Sequence, residues 1–233
     1  MEDKGCISTT SASEYFLQEF LDSPLLKLLP EGFDVCYDTI IQSDMVFVHF
    51  YLYDNTIPLE KVTHENTISS IHILFNKPYK WSSSWTPLYH NVIHIPELVV
   101  NSDFNGLDLT GTGLGTFMIL LVVAYSKSLN LHIALLYDAS SRFRTEKNIY
   151  TKIGLRYIDD TGHEMMGKVD ELYDKISNFI DEKGSKLTGK LNQYMEHKNA
   201  SKGRLKKKKK RKTKKKRKKR KKRTKKTMKI KFL

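Results

Sequence analysis

Asn105-Gly106-Leu107-Asp108-Leu109-Thr110-Gly111-Thr112-Gly113-Leu114-Gly115 is the stretch whose reading decides the fold. Beyond it Thr116–Leu129 is apolar on most faces, as a central, well-covered helix requires. Glycines at this density let the backbone turn tightly and bring amide N–H groups close to a ligand that a Cβ would obstruct. Placed at a helix N-terminus, such amides and the helix dipole form an anion site, and a phosphate or pyrophosphate is the natural guest. Two familiar phosphate loops do not fit. Gly106 and Gly111 have Walker spacing, but Thr112 stands where that loop needs lysine. The dinucleotide fingerprint needs a third glycine at position 116, which is threonine, and a leading strand of a βαβ unit.

Working outward, Phe33–Ile41, Met45–Asp54, Ile68–Asn76 and Val92–Asn101 are rich in β-branched and aromatic residues and separated by polar turns. They read as a four-strand antiparallel meander, with a hairpin at Gln42-Ser43-Asp44. Before it, Ser11-Ala12-Ser13-Glu14 has capping-box form, and Phe16, Leu17, Phe20 and Leu21 recur at helical spacing up to Pro24 and Pro30. After the glycines come a strand at Leu131–Tyr137, a helix at Ser141–Ile153 closed by Gly154, and a short strand at Leu155–Asp159. This order predicts an α+β fold with a mixed, mostly antiparallel sheet flanked by helices. Val169, Leu172, Tyr173, Ile176, Phe179 and Ile180 form one stripe, so Lys168–Asp181 is expected as an amphipathic helix.

The motif pieces Leu98-Val99-Val100, Thr110 to Gly115 and Tyr150-Thr151-Lys152-Ile153-Gly154-Leu155 together resemble the GNAT family of acetyl-CoA-dependent N-acetyltransferases, over roughly residues 13–160. That family has a strand, an [RQ]xxGx[GA] loop, a long helix, a strand, and a helix ending in YxKxGF. Gly113 and Gly115 match, Thr110 takes the Arg/Gln position, and Leu155 replaces the Phe. The resemblance implies acetyl-CoA as co-substrate. Leu98, Val99 and Val100 would line its pantetheine, and Gly111, Thr112, Gly113, Leu114, Gly115 and Thr116 would cradle its pyrophosphate. It also implies that Tyr150 supplies the proton for the departing thiolate. Glu97, on the strand beside that track, is the candidate general base, with His94 or Asp103 acting through water as alternatives.

No metal is expected. His90 and His94 lie four residues apart on a strand, about 13 Å at ~3.3 Å per residue, too far to share an ion. Cys6, in an end expected to be loose, and Cys36, expected as a buried small hydrophobe, are too few for a disulfide framework. Cysteine usage therefore points to a reducing, intracellular compartment, and the polar, acidic N-terminus carries no visible signal peptide. Trp81 and Trp85 flank Ser82–Ser84 near the expected substrate face and read as loop packing rather than cleft walls. The apolar part of Leu109–Ser126 is shorter than the ~20 residues of a membrane span.

The chain of 233 residues carries a net charge of +14, but the charge is unevenly placed. Of its 40 Lys and Arg, 23 fall in residues 202–233, which have no Asp or Glu. The remaining 17 face 26 acids, so residues 1–201 are formally at −9. The organisation expected is a GNAT-like acyl-CoA-binding domain at 1–165, a helical extension at 166–201, and a disordered Lys/Arg-rich tail at 202–233. The tail lacks aromatics before Phe232, so its affinity would come from counterion release at phosphates. Engaging ~10 phosphates of a duplex would give a log–log salt slope of about −9. Lys206, Lys207, Lys208, Arg211, Lys214, Arg217, Arg220 and Arg223 are the candidate nucleic-acid contacts, and Lys207–Lys212 fits a nuclear-localisation pattern. Nuclear or virion association is the expectation that follows, since the Lys, Ile, Asn and Tyr usage is that of an AT-rich genome such as a large DNA virus carries.

Three functions are therefore in play. One is an N-acetyltransferase acting on a lysine, a protein N-terminus or a polyamine, tethered to nucleic acid by its tail. The second is a non-enzymatic packaging protein on a degenerate scaffold of the same fold. The third is a basic anchor at an anionic membrane surface.

Overall fold

The computed structural model describes residues 2–13, 15–43, 45–63, 66–76, 91–101, 103–104, 106–139, 148–160 and 162–200. Trp81, Trp85, His90, the start of the helix expected from Ser141, and the basic tail lie outside them. Alternating apolar residues on the four predicted strands form the central meander: β2 (Phe33–Gln42), β3 (Met45–Asp54), β4 (Ser69–Asn76) and β5 (Val92–Val100), paired antiparallel in turn. Two strands the sequence did not announce complete the sheet. β1 (Glu2–Cys6) pairs with β2, and β10 (Glu164–Lys168) lies between β8 (Ile133–Tyr137) and β9 (Arg156–Tyr157). The eight-stranded order is β1-β2-β3-β4-β5-β8-β10-β9, with β5 and β8 the one parallel pair. The fold is α+β with a mostly antiparallel sheet. In the connection after β5, the short β6 (Asp103–Phe104) and β7 (Leu107–Asp108) pair around Gly106.

One face of the sheet carries the core. Val46, Val48, Phe50, Leu52, Ile71, Ile73, Phe75, Ile93 and Ile95 are all buried. The long helix α2 (Leu114–Ser128) lies over them, and its Tyr125 ring meets Phe16, Phe20, Phe50 and Phe75 at centroid distances of 5.2–6.0 Å. The helix is buried on most sides, Thr116 and Lys127 excepted, because α1 (Gln18–Leu21), α4 (Val169–Tyr173) and α5 (Lys175–Phe179) also pack on it. The expected N-terminal helix is thus a single turn. Ser13 Oγ accepts from the Phe16 amide, which makes a tight turn of the supposed cap, while Phe16 and Phe20 are buried as their spacing implied. The C-terminal stripe buries Val169, Leu172, Ile176 and Phe179, but over two short helices followed by a π turn at Ile180–Gly184.

Cys6 is not in a loose end. It sits on β1 directly opposite Cys36, and the two form a disulfide. Their pairing corrects the expectation of two unlinked thiols, although Cys36 is fully buried as expected. The 55–67 connection covers this corner, where Tyr51, Tyr53 and Val62 pack with the two cysteines. No helix among the described residues is long and apolar enough to cross a membrane. This unit runs from residue 1 to Leu191. A second unit covers 192–233; its described part is helical, with Lys198 Nζ 5.8 Å from the centre of the Tyr194 ring.

Candidate functional site

The glycine loop makes the turn its composition called for. Gly111 and Gly113 both take positive φ, +66° and +86°, and Gly113 is the N-cap of α2. The turn is held by Asp108, whose carboxylate accepts from the Thr110 amide, and by buried Thr112, whose hydroxyl donates to Leu109 O. The hydrogen bonds from Thr110 hold the Asp108 carboxyl below its ordinary value. The first helical bond, Phe117 N–H to Gly113 O, leaves the amides of Leu114, Gly115 and Thr116 as the first turn of the helix. Of the predicted cradle residues, Leu114 and Gly115 are buried, Thr116 is half-buried and Gly111 is exposed.

Three elements meet at Gly115. A Cβ there would stand 3.0 Å from Ile149 Cδ1, 3.5 Å from Val100 Cγ2 and 3.9 Å from Leu98 Cδ2. The structure therefore brings together the glycine loop, the end of β5 and the start of α3 (Ile149–Ile153), which carries Tyr150. On its other side the loop is closed by the chain itself: a Cβ on Gly113 would lie 2.9 Å from Phe179 Cε2 and 3.3 Å from Lys183 Cβ. Lys186 Nζ is 3.7 Å from the corresponding position at Gly111, so a cation stands beside the loop where Thr110 offers none.

β5 is half free of its parallel neighbour. Its pairing with β8 stops at Ile95↔Leu136, and β5 continues to Val100. Val99 and Val100 are 40% and 38% exposed, so this end of the strand is accessible. An extra residue on β5 shifts the β4 register between Leu74↔His94 and His72↔Glu97. This bulge puts His94 and Glu97 on one face of the sheet, away from α2. Leu98 and Val100 point to the opposite face, at Gly115.

Glu97 ends a row of directly opposed residues crossing five strands: Lys4↔Asp38↔His49↔His72↔Glu97. His72 Nδ1 is 3.2 Å from Glu97 Oε2, the His49 and His72 rings meet edge to face at 3.4 Å, and Lys4 Nζ is 3.6 Å from Asp38 Oδ2. Tyr51 donates to Asp38 and stacks on His49. Sequence reading missed this row. The only signal was two histidines at solitary positions in apolar strands, and their convergence depends on a register no single strand contains.

At the other end of the site, Tyr150 is half-buried, and burial raises its phenol above the ordinary value, with Asp138 and Tyr157 acting in the same direction. Its backbone N–H donates to Asn148 Oδ1, the N-cap of α3. Asn148 and Tyr157 both donate to the fully buried Asp138 carboxylate at the end of β8. Asn148 is thus a buried capping residue that the sequence reading did not single out. No hydrogen bond or ion pair joins Tyr150 to Glu97. Asp103 lies on β6.

Two cavities open on the sheet face that Glu97 shares. One, of about 550 Å³, lies between β5, β8 and β10; the other, of about 430 Å³, lies over the His49–His72 row, and Pro96 borders both. Among the described residues one group has metal-ligand spacing, Cys6, Asp34 and Cys36, and the disulfide takes up two of its three members. The chain matches no protein-family model, and no curated protein is similar to it.

Proposed function

We propose that the protein is a GNAT-like N-acetyltransferase that moves an acetyl group from acetyl-CoA to a primary amine and is held at nucleic acid by its basic tail. The observation that carries this reading is the convergence at Gly115 of the positive-φ glycine turn, the accessible end of β5 and the helix bearing Tyr150. The residues suit the co-substrate. The first amides of α2 and the Lys186 ammonium favour a diphosphate, and the main chain of Leu98, Val99 and Val100 offers a strand edge for an extended amide-bearing arm. The thioester supplies the activated acetyl group.

The chain's own groups would then do the proton work. Glu97 accepts a proton from the substrate ammonium, directly or through water, to free the amine that attacks, and His72 at 3.2 Å fixes the carboxylate. The new N–C bond forms as the C–S bond breaks; Tyr150 donates its phenolic proton to the departing sulfur and takes back the proton that the new amide nitrogen sheds. A phenol whose pKa burial has raised stays protonated at neutral pH, as that role needs. The test is acetyl transfer, read as free thiol released from acetyl-CoA in the presence of an amine. Thiol release lost in Tyr150→Phe and Glu97→Gln supports the reading; no release with any amine removes it.

A second reading, a non-enzymatic packaging protein on the same scaffold, is favoured by Phe179 and Lys183 lying against Gly113. It predicts tail-dependent, sequence-indifferent DNA binding with the steep salt dependence of counterion release and no affinity for acetyl-CoA. The acetyltransferase reading is preferred because a scaffold role gives no reason for two positive-φ glycines beside a strand end that has parted from its parallel neighbour.

A further inference from the structure

We propose that the 550 Å³ cavity between β5, β8 and β10 is the acceptor site, and that the acceptor is a small primary amine on an apolar body rather than a polyamine or the chain's own lysine-rich tail. The word acceptor rests on the acetyltransferase reading; the ligand class does not.

The cavity has the size of a small-molecule site. Its walls are mostly aliphatic, with Leu74, Ile133, Leu135 and Met166 among them, and Glu164 is the one carboxylate in its lining, beside His94 and the phenol of Tyr137. Three of the large apolar side chains that the molecule exposes, Tyr137, Ile158 and Met166, belong to this lining at 55%, 47% and 37%. Apolar side chains gathered on a concave surface mark a binding site more often than bare surface. A polycation would have to give up water around several charges here and find a single lining carboxylate in return, which is unfavourable. One ammonium on a hydrocarbon or aryl body loses little and gains both the walls and Glu164. Burial lowers the His94 pKa against the opposing pull of Glu164, so this imidazole stays neutral and does not repel the ammonium. The bulge that turns His94 into the cavity also aims Glu97 to the same face, one residue beyond Pro96 on the rim. An amine held in the cavity thus lies on the side of the sheet where the candidate base stands.

The experiment uses the full chain with phenethylamine as probe, spermidine and a Lys-rich peptide as competitors, and Leu135→Trp and Glu164→Gln as variants. Phenethylamine binding is read by calorimetry without acetyl-CoA, and transfer is read separately as thiol release. The expected result is phenethylamine binding weakened about tenfold or more by Leu135→Trp, with kcat/KM for phenethylamine at least about tenfold above that for spermidine or the peptide. Glu164→Gln should weaken phenethylamine but leave neutral 2-phenylethanol unchanged, a comparison that stands even if Leu135→Trp disturbs the sheet. Preference for spermidine or the peptide, or phenethylamine binding indifferent to both substitutions, overturns the proposal while leaving the transferase reading intact. Cavity-dependent binding with no transfer to any amine upholds the amine site and removes the transferase reading.

Discussion

Ile149 packs so closely on Gly115 that a Cβ added to the glycine would stand 3.0 Å from its Cδ1. The contact ties the N-terminus of α2 to the start of α3, and through it the glycine loop to Tyr150. Gly115→Ala should therefore push the two helices apart at the site, with a stability cost of about 1–3 kcal/mol, typical of overpacking. Gly113→Ala should cost more, because the new Cβ meets Phe179 at 2.9 Å and the residue must hold a φ of +86°. The left-handed conformation alone costs about 1–2 kcal/mol for a residue with a side chain. Urea midpoints of the two variants check the order; equal and negligible shifts would contradict it.

The Cys6–Cys36 bond closes a loop of 30 residues between the edge strand and its neighbour. Restricting the unfolded chain to this extent contributes about 3–4 kcal/mol in the loop-entropy model. Thermal unfolding with and without a reducing agent should show a marked loss on reduction, and Cys36→Ser should reproduce it without reductant. A melting temperature unchanged by reduction would mean that the bond does not form in solution.

Asp138 is a fully buried carboxylate that relies on hydrogen bonds from Asn148 and Tyr157. Tyr157→Phe withdraws one donor and should cost about 1–3 kcal/mol. Asn148→Ala should cost roughly 1 kcal/mol more, since the same side chain caps α3. Denaturant titration of both variants measures this, and Asn148→Ala milder than Tyr157→Phe would contradict the assignment.

His94 sets a pH dependence. Burial lowers its pKa in the folded protein below the ordinary value of about 6.5. As pH falls below that value the unfolded chain takes up a proton that the native state resists, so stability falls with pH down to the native pKa. Glu164 opposes the shift without reversing it. His94→Gln should flatten this part of a stability-against-pH curve, and an unchanged slope would show that other groups produce it.

Much of the fold is legible in the sequence because much of it is local. The β-branched runs of the meander, the hairpin at Ser43, the apolar α2 and the glycine turn each carry their own signal. β1 and β10 do not. Glu2–Cys6 is polar and short, and it is a strand because β2 and the disulfide hold it there. Glu164–Lys168 contains Gly167 and one buried methionine, and it is a strand because β8 and β9 offer edges on both sides. The site divides in the same way. The glycines and Tyr150 are spelled out in contiguous motifs, whereas the row from Lys4 to Glu97 takes one residue from each of five strands. A bulge on β5 decides which face Glu97 occupies, and its one signal in the sequence is Pro96, a residue without an N–H for the ladder that a paired strand admits at a bulge.

The central claim is that the glycine turn binds the diphosphate of a CoA thioester. Calorimetric titration of the full chain with acetyl-CoA tests it most directly. Run at a salt concentration that suppresses the tail's unspecific attraction to phosphates, with ATP as a polyanion control, it should show one site per chain, saturable by acetyl-CoA and weakened about tenfold or more by Gly113→Ala. Heat that vanishes with salt, or that ATP reproduces equally in both proteins, would place the binding in the tail and contradict the account.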